Sequence, residues 1–197
     1  MKHKIFFIAA IILFSFGFSS CDEGEGSDDY GFGYIYMPQA TVTGGLNNNY
    51  YVPAGEGVYT YNFKIDVGKK ELQIILGVLR AGVIANAEYS VDIIARTDTT
   101  NQILAEGLVE NGIAFPQNLY SLPSKITVPK SKSGDSFYMT VSTDALKNDA
   151  YTDKKLVLAV AVRNPTHFEL APENTNTVVI LDVNTIRTHI ANAENGK

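Results

Sequence analysis

The sequence has few of the residues that disulfide scaffolds, metal centres and hydrolytic sites need. Its 197 residues contain one cysteine, three histidines and no tryptophan. A single cysteine excludes an intrachain disulfide and a zinc site built from cysteines. The sequence also lacks a serine nucleophile elbow, a zinc-binding HExxH motif and a phosphate-binding loop. We therefore expect no catalytic activity, no metal and no cofactor.

Positive charge is also scarce. The chain has 16 lysines and arginines against 21 aspartates and glutamates, which gives a net charge of −5. Because nucleic-acid binding depends on basic side chains that neutralise phosphates, a nucleic-acid partner has no electrostatic basis. The apolar fraction of 45% excludes a disordered chain, and the length is sufficient for a domain with its own core.

The N-terminus has the layout of a lipoprotein signal peptide. Residues 5–18 carry no charge and follow a basic start, and this run is too short for a membrane-spanning helix of about 20 residues. Two serines then precede Cys21. The arrangement resembles the bacterial lipobox, which implies palmitate-type acylation of Cys21, although Phe18 stands where that pattern prefers leucine. The alternative is an ordinary signal peptide with an incidental cysteine.

An acidic segment follows Cys21. Five carboxylates lie among eight residues that also include glycine and serine: Asp22, Glu23, Glu25, Asp28 and Asp29. Such a segment is expected to extend by self-repulsion and to act as a tether. It resembles the acidic export signal of Bacteroidetes lipoproteins, which implies the outer face of the outer membrane. The periplasmic face is the alternative location.

The remaining chain is dominated by alternation of apolar and polar residues, which is typical of half-buried strands. Residues 88–96 alternate with Tyr89, Val91 and Ile93 inward, and 58–67 alternate similarly with Tyr59 and Tyr61 assigned to the core. Residues 72–79 are almost wholly apolar and predict a strand covered on both faces. Further strands are predicted at 34–42, 125–128, 137–141, 156–162 and 177–183.

Non-strand segments complete the prediction. Residues 99–107 are expected to form one short helix or a helical turn that ends at Gly107, and 115–123 to form a loop with two prolines. Residues 185–197 are expected to be a frayed tail or a single helical turn. About eight strands with one helical insert predict an all-β, immunoglobulin-like antiparallel sandwich, with a closed barrel as the competing architecture. The predicted organisation is therefore a signal peptide at 1–20, a lipidated tether at 21–33, a sandwich domain at 34–184 and a C-terminal tail at 185–197.

Five short segments carry a family resemblance. They are YMPQA at 36–40, LYSLP at 119–123, ITVPKSKSG at 126–134, and residues 141–146 and 176–183. In their order and spacing they resemble the Bacteroidetes domain-of-unknown-function family 1735. This resemblance covers about residues 34–184 and implies an immunoglobulin-like sandwich in a surface lipoprotein of a glycan-uptake system. It transfers no active-site residue.

One loop combines amides with aromatic rings, the residue types that hold sugars by hydrogen bonding and stacking. It consists of Asn47, Asn48, Asn49, Tyr50 and Tyr51. The alternative is a polar turn whose tyrosines pack at the start of the next strand, and the absence of tryptophan argues against a strong glycan platform.

The sequence thus predicts a non-catalytic lipoprotein, lipid-anchored in the outer membrane and exposed on the cell surface. It would bind a polysaccharide or oligosaccharide, or serve as an accessory subunit beside an outer-membrane transporter. The alternative is a structural or adhesion module that binds another surface protein.

Overall fold

The computed structural model describes residues 33–42, 48–54, 62–82 and 87–196, excluding the side chain of Val42. In this part of the chain, strands predominate and four short helices accompany them. The strands are β1 Tyr34–Tyr36, β2 Asn49–Val52, β3 Phe63–Asp66, β4 Glu71–Ala81, β5 Tyr89–Ala95, β6 Gly112–Ala114, β7 Tyr120–Ser121, β8 Lys125–Val128, β9 Gly134–Ser142, β10 Lys155–Arg163, β11 Glu169–Leu170 and β12 Asn176–Asp182. The helices are α1 Gln39–Val42, α2 Thr97–Ala105, α3 Thr143–Leu146 and α4 Val183–Glu194, and a 3₁₀ turn covers Asp149–Tyr151.

The strands form two six-stranded sheets. The first sheet has the order β11-β1-β4-β9-β7, with β3 also paired to β4, and the second has the order β2-β12-β10-β5-β8, with β6 also paired to β10. Most pairs are antiparallel, while β1 with β11, β2 with β12 and β6 with β10 are parallel. The predicted all-β sandwich is confirmed, although the described residues hold twelve strands rather than about eight.

The main hydrophobic core lies between the two sheets. Alternate residues of β4, such as Leu72, Ile74 and Leu76, meet the inward residues of β10, such as Leu156 and Leu158. Burial of these aliphatic side chains stabilises the fold by about 25 cal/mol per Å² of apolar surface removed from water. This core holds β2, β10 and β12 in the positions on which the site described below depends.

A second, smaller cluster covers the outer face of the second sheet. Ile103 of α2 packs there on Val157 and Ala159 of β10 and near Ile180 of β12. The strands buried on both faces are therefore β10 and β12. The prediction that 72–79 is covered on both faces is wrong, because β4 alternates and its outward Gln73 and Ile75 are only half-buried.

Several predicted boundaries also differ from the structure. The first strand ends at Tyr36, and α1 replaces its second half because the carbonyls of Met37 and Pro38 accept hydrogen bonds from Ala40 and Thr41. Within the predicted loop at 115–123, β7 pairs with β9. Of the predicted strand at 58–67, residues 62–67 are described; β3 forms within them, and Val67 is 45% exposed in the following turn.

The C-terminal segment is the largest correction. It is not a frayed tail, because α4 extends over twelve residues. Ile186 and Ile190 lie four residues apart on one face of this helix and are buried in the main core. Asp182 begins the helix by accepting a 2.9 Å hydrogen bond from the backbone N–H of Thr185. The predicted helix at 99–107 is confirmed as α2, and Gly107 follows it with a φ of +67° that suits glycine.

Candidate functional site

The structure separates the residues of the predicted amide and tyrosine cluster. Asn47 lies outside the described residues, Asn48 precedes β2, and Asn49, Tyr50 and Tyr51 belong to β2 itself. Because successive side chains of a strand point to opposite faces, Asn49 and Tyr51 share the outer face while Tyr50 points into the core. The five residues therefore do not form one surface.

Tyr50 is a structural residue. Its side chain is 8% exposed, and its hydroxyl donates a 2.9 Å hydrogen bond to the carbonyl of Ile75. Burial raises the pKa of Tyr50 to about 12, because the phenolate would lose its hydration. For Tyr50, the alternative of a tyrosine packed at the start of a strand is the one that the geometry supports.

Asn48 is also engaged by the fold. It adopts a φ of +55°, a conformation that asparagine tolerates better than most residues. Its carbonyl accepts hydrogen bonds from the backbone N–H of Val178 at 2.9 Å and from the hydroxyl of Thr177 at 3.0 Å, while its amide donates to the carbonyl of Asn176 at 3.2 Å. Asn48 therefore attaches the start of β2 to β12.

Tyr51 faces an open groove of about 440 Å³, which we call the Tyr51 groove. The size is within the range of small-ligand sites. The lining residues come from β2, the turn after it, and the ends of β10, β12 and α4: Tyr51, Val52, Pro53, Ala54, Lys155, Ile180, Asp182 and Thr185. Tyr51 is 46% exposed, which leaves much of its ring available, and the amide of Asn49 lies 3.4 Å from its hydroxyl.

Strand register brings the groove residues together. Ile180 is the neighbour of Tyr51 across the parallel β2–β12 pair and is 1% exposed, so it forms an apolar floor. Lys155 is the first residue of β10 and lies directly opposite Asp182, the last residue of β12. The groove therefore places an aromatic ring, an ammonium, a carboxylate and a hydroxyl beside one another.

Sequence analysis missed Lys155, Asp182 and Thr185 as groove residues. Lys155 and Asp182 are distant in the chain and meet only through the antiparallel pairing of β10 with β12. The sequence does contain a signal for the start of α4, because aspartate is a preferred N-cap residue. Its side chain can accept the backbone N–H three residues later, as Asp182 does from Thr185. No local pattern in the sequence indicates that the N-terminus of α4 lies beside β2.

A second cleft of about 440 Å³ lies over β7 and β9. Two of its charged side chains form an ion pair: the ammonium of Lys70 is 2.7 Å from the carboxylate of Asp144, which raises the pKa of Lys70 and lowers that of Asp144. Its aromatic residue, Tyr120, is half-buried and packs edge-on against Phe115 with 5.5 Å between ring centroids. An exposed ring is thus found in the Tyr51 groove and not in this cleft.

The two histidines outside the N-terminal segment pack against aromatic rings. His189 of α4 lies edge-on to Phe63 at 5.3 Å, and His167 lies edge-on to Phe168 at 4.7 Å. Across 33–42, 48–54, 62–82 and 87–196, no group of three metal-ligating side chains is present. None of the helices in these ranges is long and apolar enough to span a membrane.

The proposed lipidation site, Cys21, and the acidic residues Asp22, Glu23, Glu25, Asp28 and Asp29 lie outside the described residues. Their predicted roles therefore stay predictions. The same holds for Tyr59 and Tyr61.

Comparison with known proteins identifies a shared fold. No family model matches the chain, and no curated protein matches it. A Bacteroides ovatus protein of unknown function superposes with a TM-score of 0.53 at 13% identity, over 75% of this chain and 46% of that one. The two proteins have the same sandwich fold.

Two further Bacteroides ovatus structures are similar to a lower degree. A “putative carbohydrate binding protein” has a TM-score of 0.49 at 10% identity, over 76% of this chain and 36% of that one. A multidomain protein including domain-of-unknown-function family 1735 has a TM-score of 0.43 at 13% identity, over 60% of this chain and 37% of that one. The chain thus spans less than half the length of each of these three proteins.

Proposed function

We propose that this protein is a non-catalytic, glycan-binding lipoprotein and that the Tyr51 groove holds the sugar. The observation that carries the proposal is that Tyr51, which is 46% exposed, lies beside the polar groups of Lys155, Asp182 and Thr185. The C–H face of a sugar ring packs on an aromatic face, and its hydroxyls need donors and acceptors at the rim. The groove offers all three kinds of contact within one small volume.

The composition of the groove favours binding over hydrolysis. Glycosidases generally position two carboxyl groups on either side of the scissile bond. Among the described residues that line the Tyr51 groove, Asp182 alone is acidic, and its Oδ1 accepts the N–H of Thr185 as a helix cap. A carboxylate committed to a helix start is better suited to orienting a hydroxyl than to transferring a proton.

The proposed location rests on the N-terminal sequence. Acylation of Cys21 would anchor the chain in the outer membrane, and the acidic segment after it would direct the domain to the cell surface. Cells labelled with radioactive palmitate should incorporate label into the wild-type chain and none into Cys21→Ala. Protease added to intact cells should remove the domain, and resistance until the cells are broken would place it on the periplasmic face.

The family setting is part of the same proposal. The segments at 36–40, 119–123 and 126–134, in that order, support membership of domain-of-unknown-function family 1735. Such membership would make the chain a glycan-binding or accessory subunit of an uptake system. The neighbouring genes test this point, because a gene for an outer-membrane transporter beside this one is expected.

Glycan binding can be tested by affinity electrophoresis of the full chain in detergent against a panel of plant and host polysaccharides. Tyr51→Ala should abolish the retardation of a bound glycan, whereas Tyr51→Phe should keep most of it because the stacking face is unchanged. Tyr138→Ala is the matched control, since Tyr138 lies on the outer face of the other sheet beside Lys64. Binding that survives Tyr51→Ala would remove the groove from the proposal.

The alternative, a module that binds a surface protein, predicts a different result in the same preparation. No polysaccharide would retard the chain, and a membrane protein would be retained with it after crosslinking on cells. That outcome would overturn the glycan proposal.

A further inference from the structure

Lys155 and Asp182 are opposite charges that fail to pair. They are direct neighbours across the antiparallel β10–β12 ladder, a position in which opposite charges usually attract one another. Yet the side chain of Lys155 forms no hydrogen bond or ion pair with any residue of 33–42, 48–54, 62–82 or 87–196. Lys155 is half-buried and lines the Tyr51 groove.

The reason lies at the start of α4. Oδ1 of Asp182 accepts the N–H of Thr185 at 2.9 Å and thereby satisfies one of the free donors at the helix N-terminus. The positive end of the helix dipole also offsets part of the carboxylate charge. One oxygen of Asp182 is therefore engaged by the helix, and no carboxylate of the described residues pairs with the ammonium of Lys155.

The second cleft shows the contrast. There the ammonium of Lys70 lies 2.7 Å from a carboxylate oxygen of Asp144. Nearby, the ammonium of Lys147 lies 2.7 Å from a carboxylate oxygen of Glu194. These ammoniums already have carboxylate partners, so an incoming anion would have to displace them. Within the described part of the chain, no carboxylate would have to be displaced from the ammonium of Lys155.

We infer that the Tyr51 groove selects an acidic glycan, whose carboxylate or sulfate group pairs with the ammonium of Lys155 while its ring lies on Tyr51. This inference rests on the proposed function of glycan binding. The hydroxyl of Thr185 and the free oxygen of Asp182 are placed to meet neighbouring sugar hydroxyls. The net charge of −5 repels polyanions in general, so binding of one requires a local contact of this kind.

The test measures binding of the full chain in detergent to two sets of probes, by affinity electrophoresis and by calorimetry. The acidic set is polygalacturonate, hyaluronan and chondroitin sulfate, and the neutral set is galactan, mannan and xyloglucan. Lys155→Met removes the charge and keeps the length of the side chain, while Lys155→Arg keeps the charge. Lys154→Met is the matched control, because Lys154 is also half-buried but does not line the groove.

We expect an acidic probe to bind the wild-type chain. Lys155→Met should weaken the affinity for this probe about tenfold or more, whereas Lys155→Arg and Lys154→Met should change the affinity little. Circular dichroism should show that all variants are folded. If a neutral probe alone binds and Tyr51→Ala abolishes that binding, the inference is overturned while the proposed function stands. If an acidic probe binds equally well to Lys155→Met, the inference is also overturned. Failure of every probe would overturn both.

Discussion

The hydroxyl of Tyr50 donates a 2.9 Å hydrogen bond to the backbone carbonyl of Ile75. This bond connects β2, an edge strand of the second sheet, to β4, a central strand of the first. It fills a gap along β4, because β3 pairs only as far as Ile74 and β1 begins only at Leu79. Gln39 fills the next position by accepting the N–H of Gly77 at 3.2 Å. Side chains thus satisfy backbone groups that no strand reaches.

Replacement of Tyr50 by phenylalanine should destabilise the fold and leave glycan binding intact. Tyr50→Phe removes the hydroxyl and leaves the carbonyl of Ile75 without that donor, which should lower the free energy of unfolding by about 1–2 kcal/mol. Urea denaturation measures the loss. Tyr138→Phe is the control and should cost less than about 0.5 kcal/mol, because the Tyr138 hydroxyl takes part only in an exposed 2.9 Å hydrogen bond donated by Lys64 among the described residues. A binding defect in Tyr50→Phe without a stability loss would contradict this assignment.

Alkaline pH should weaken the fold through two buried tyrosines. Burial raises the pKa of Tyr50 and of Tyr89 to about 12 in the folded chain, and the hydroxyl of Tyr89 donates to the carbonyl of Ser133 at 3.0 Å. An unfolded tyrosine ionises near pH 10, so the unfolded state loses its proton first. The contribution of these two tyrosines to the free energy of unfolding is therefore complete below about pH 10 and is lost as the pH rises through about 12.

The size of this effect follows from the linkage between pKa and stability. One pKa unit corresponds to about 1.4 kcal/mol, so Tyr50 contributes at most about 3 kcal/mol. The urea concentration at the midpoint of unfolding should decrease as the pH is raised from about 10 to about 12. In Tyr50→Phe this midpoint should decrease less steeply with pH. Ultraviolet titration of the folded chain should show late-ionising phenols, Tyr50 and Tyr89 among them, and ionisation of every tyrosine near pH 10 before unfolding would disprove the shift.

Arg187 of α4 should matter more than any surface ion pair of the same region. Its guanidinium donates to the carbonyl of Leu146 at 2.7 Å, to the hydroxyl of Thr152 at 2.9 Å and to the carbonyl of Asn148 at 2.5 Å. Leu146 ends α3, where the helix leaves its carbonyls without internal partners. Arg187→Met should lower the free energy of unfolding by about 2 kcal/mol.

Two comparisons make the Arg187 prediction specific. Arg187→Lys should recover little, because an ammonium cannot reproduce the planar fork. Lys147→Met, which breaks an exposed 2.7 Å pair with Glu194, should cost about 0–1 kcal/mol. Thermal or urea unfolding would measure all three, and equal losses in Arg187→Met and Lys147→Met would refute the role given to Arg187.

Truncation of Ile190 tests whether α4 is part of the core. Ile190 is 1% exposed and packs in the main cluster, so Ile190→Ala should cost about 2–5 kcal/mol. Thr188→Ala changes an exposed position of the same helix and should cost less than about 0.5 kcal/mol. Equal stability of the two variants would mean that the helix is not docked.

Local patterns in the sequence predicted much of the sandwich. The strand at 88–96 was placed with Tyr89, Val91 and Ile93 inward, and these residues are buried in β5. The strand at 125–128 has the predicted bounds. Both succeed because alternation of apolar and polar residues encodes a half-buried strand within a few residues, without reference to distant parts of the chain.

Only the tertiary structure revealed the C-terminal helix and the residues that meet in the Tyr51 groove. Ile186 and Ile190 alone are too few to predict a helix, and they become core residues because α4 packs against the sandwich. Adjacent tyrosines have opposite roles because strand pleating sends Tyr50 inward and Tyr51 outward. Lys155 and Asp182 share a groove because β10 and β12 pair in one register, and such long-range pairing leaves no mark in the sequence around either residue.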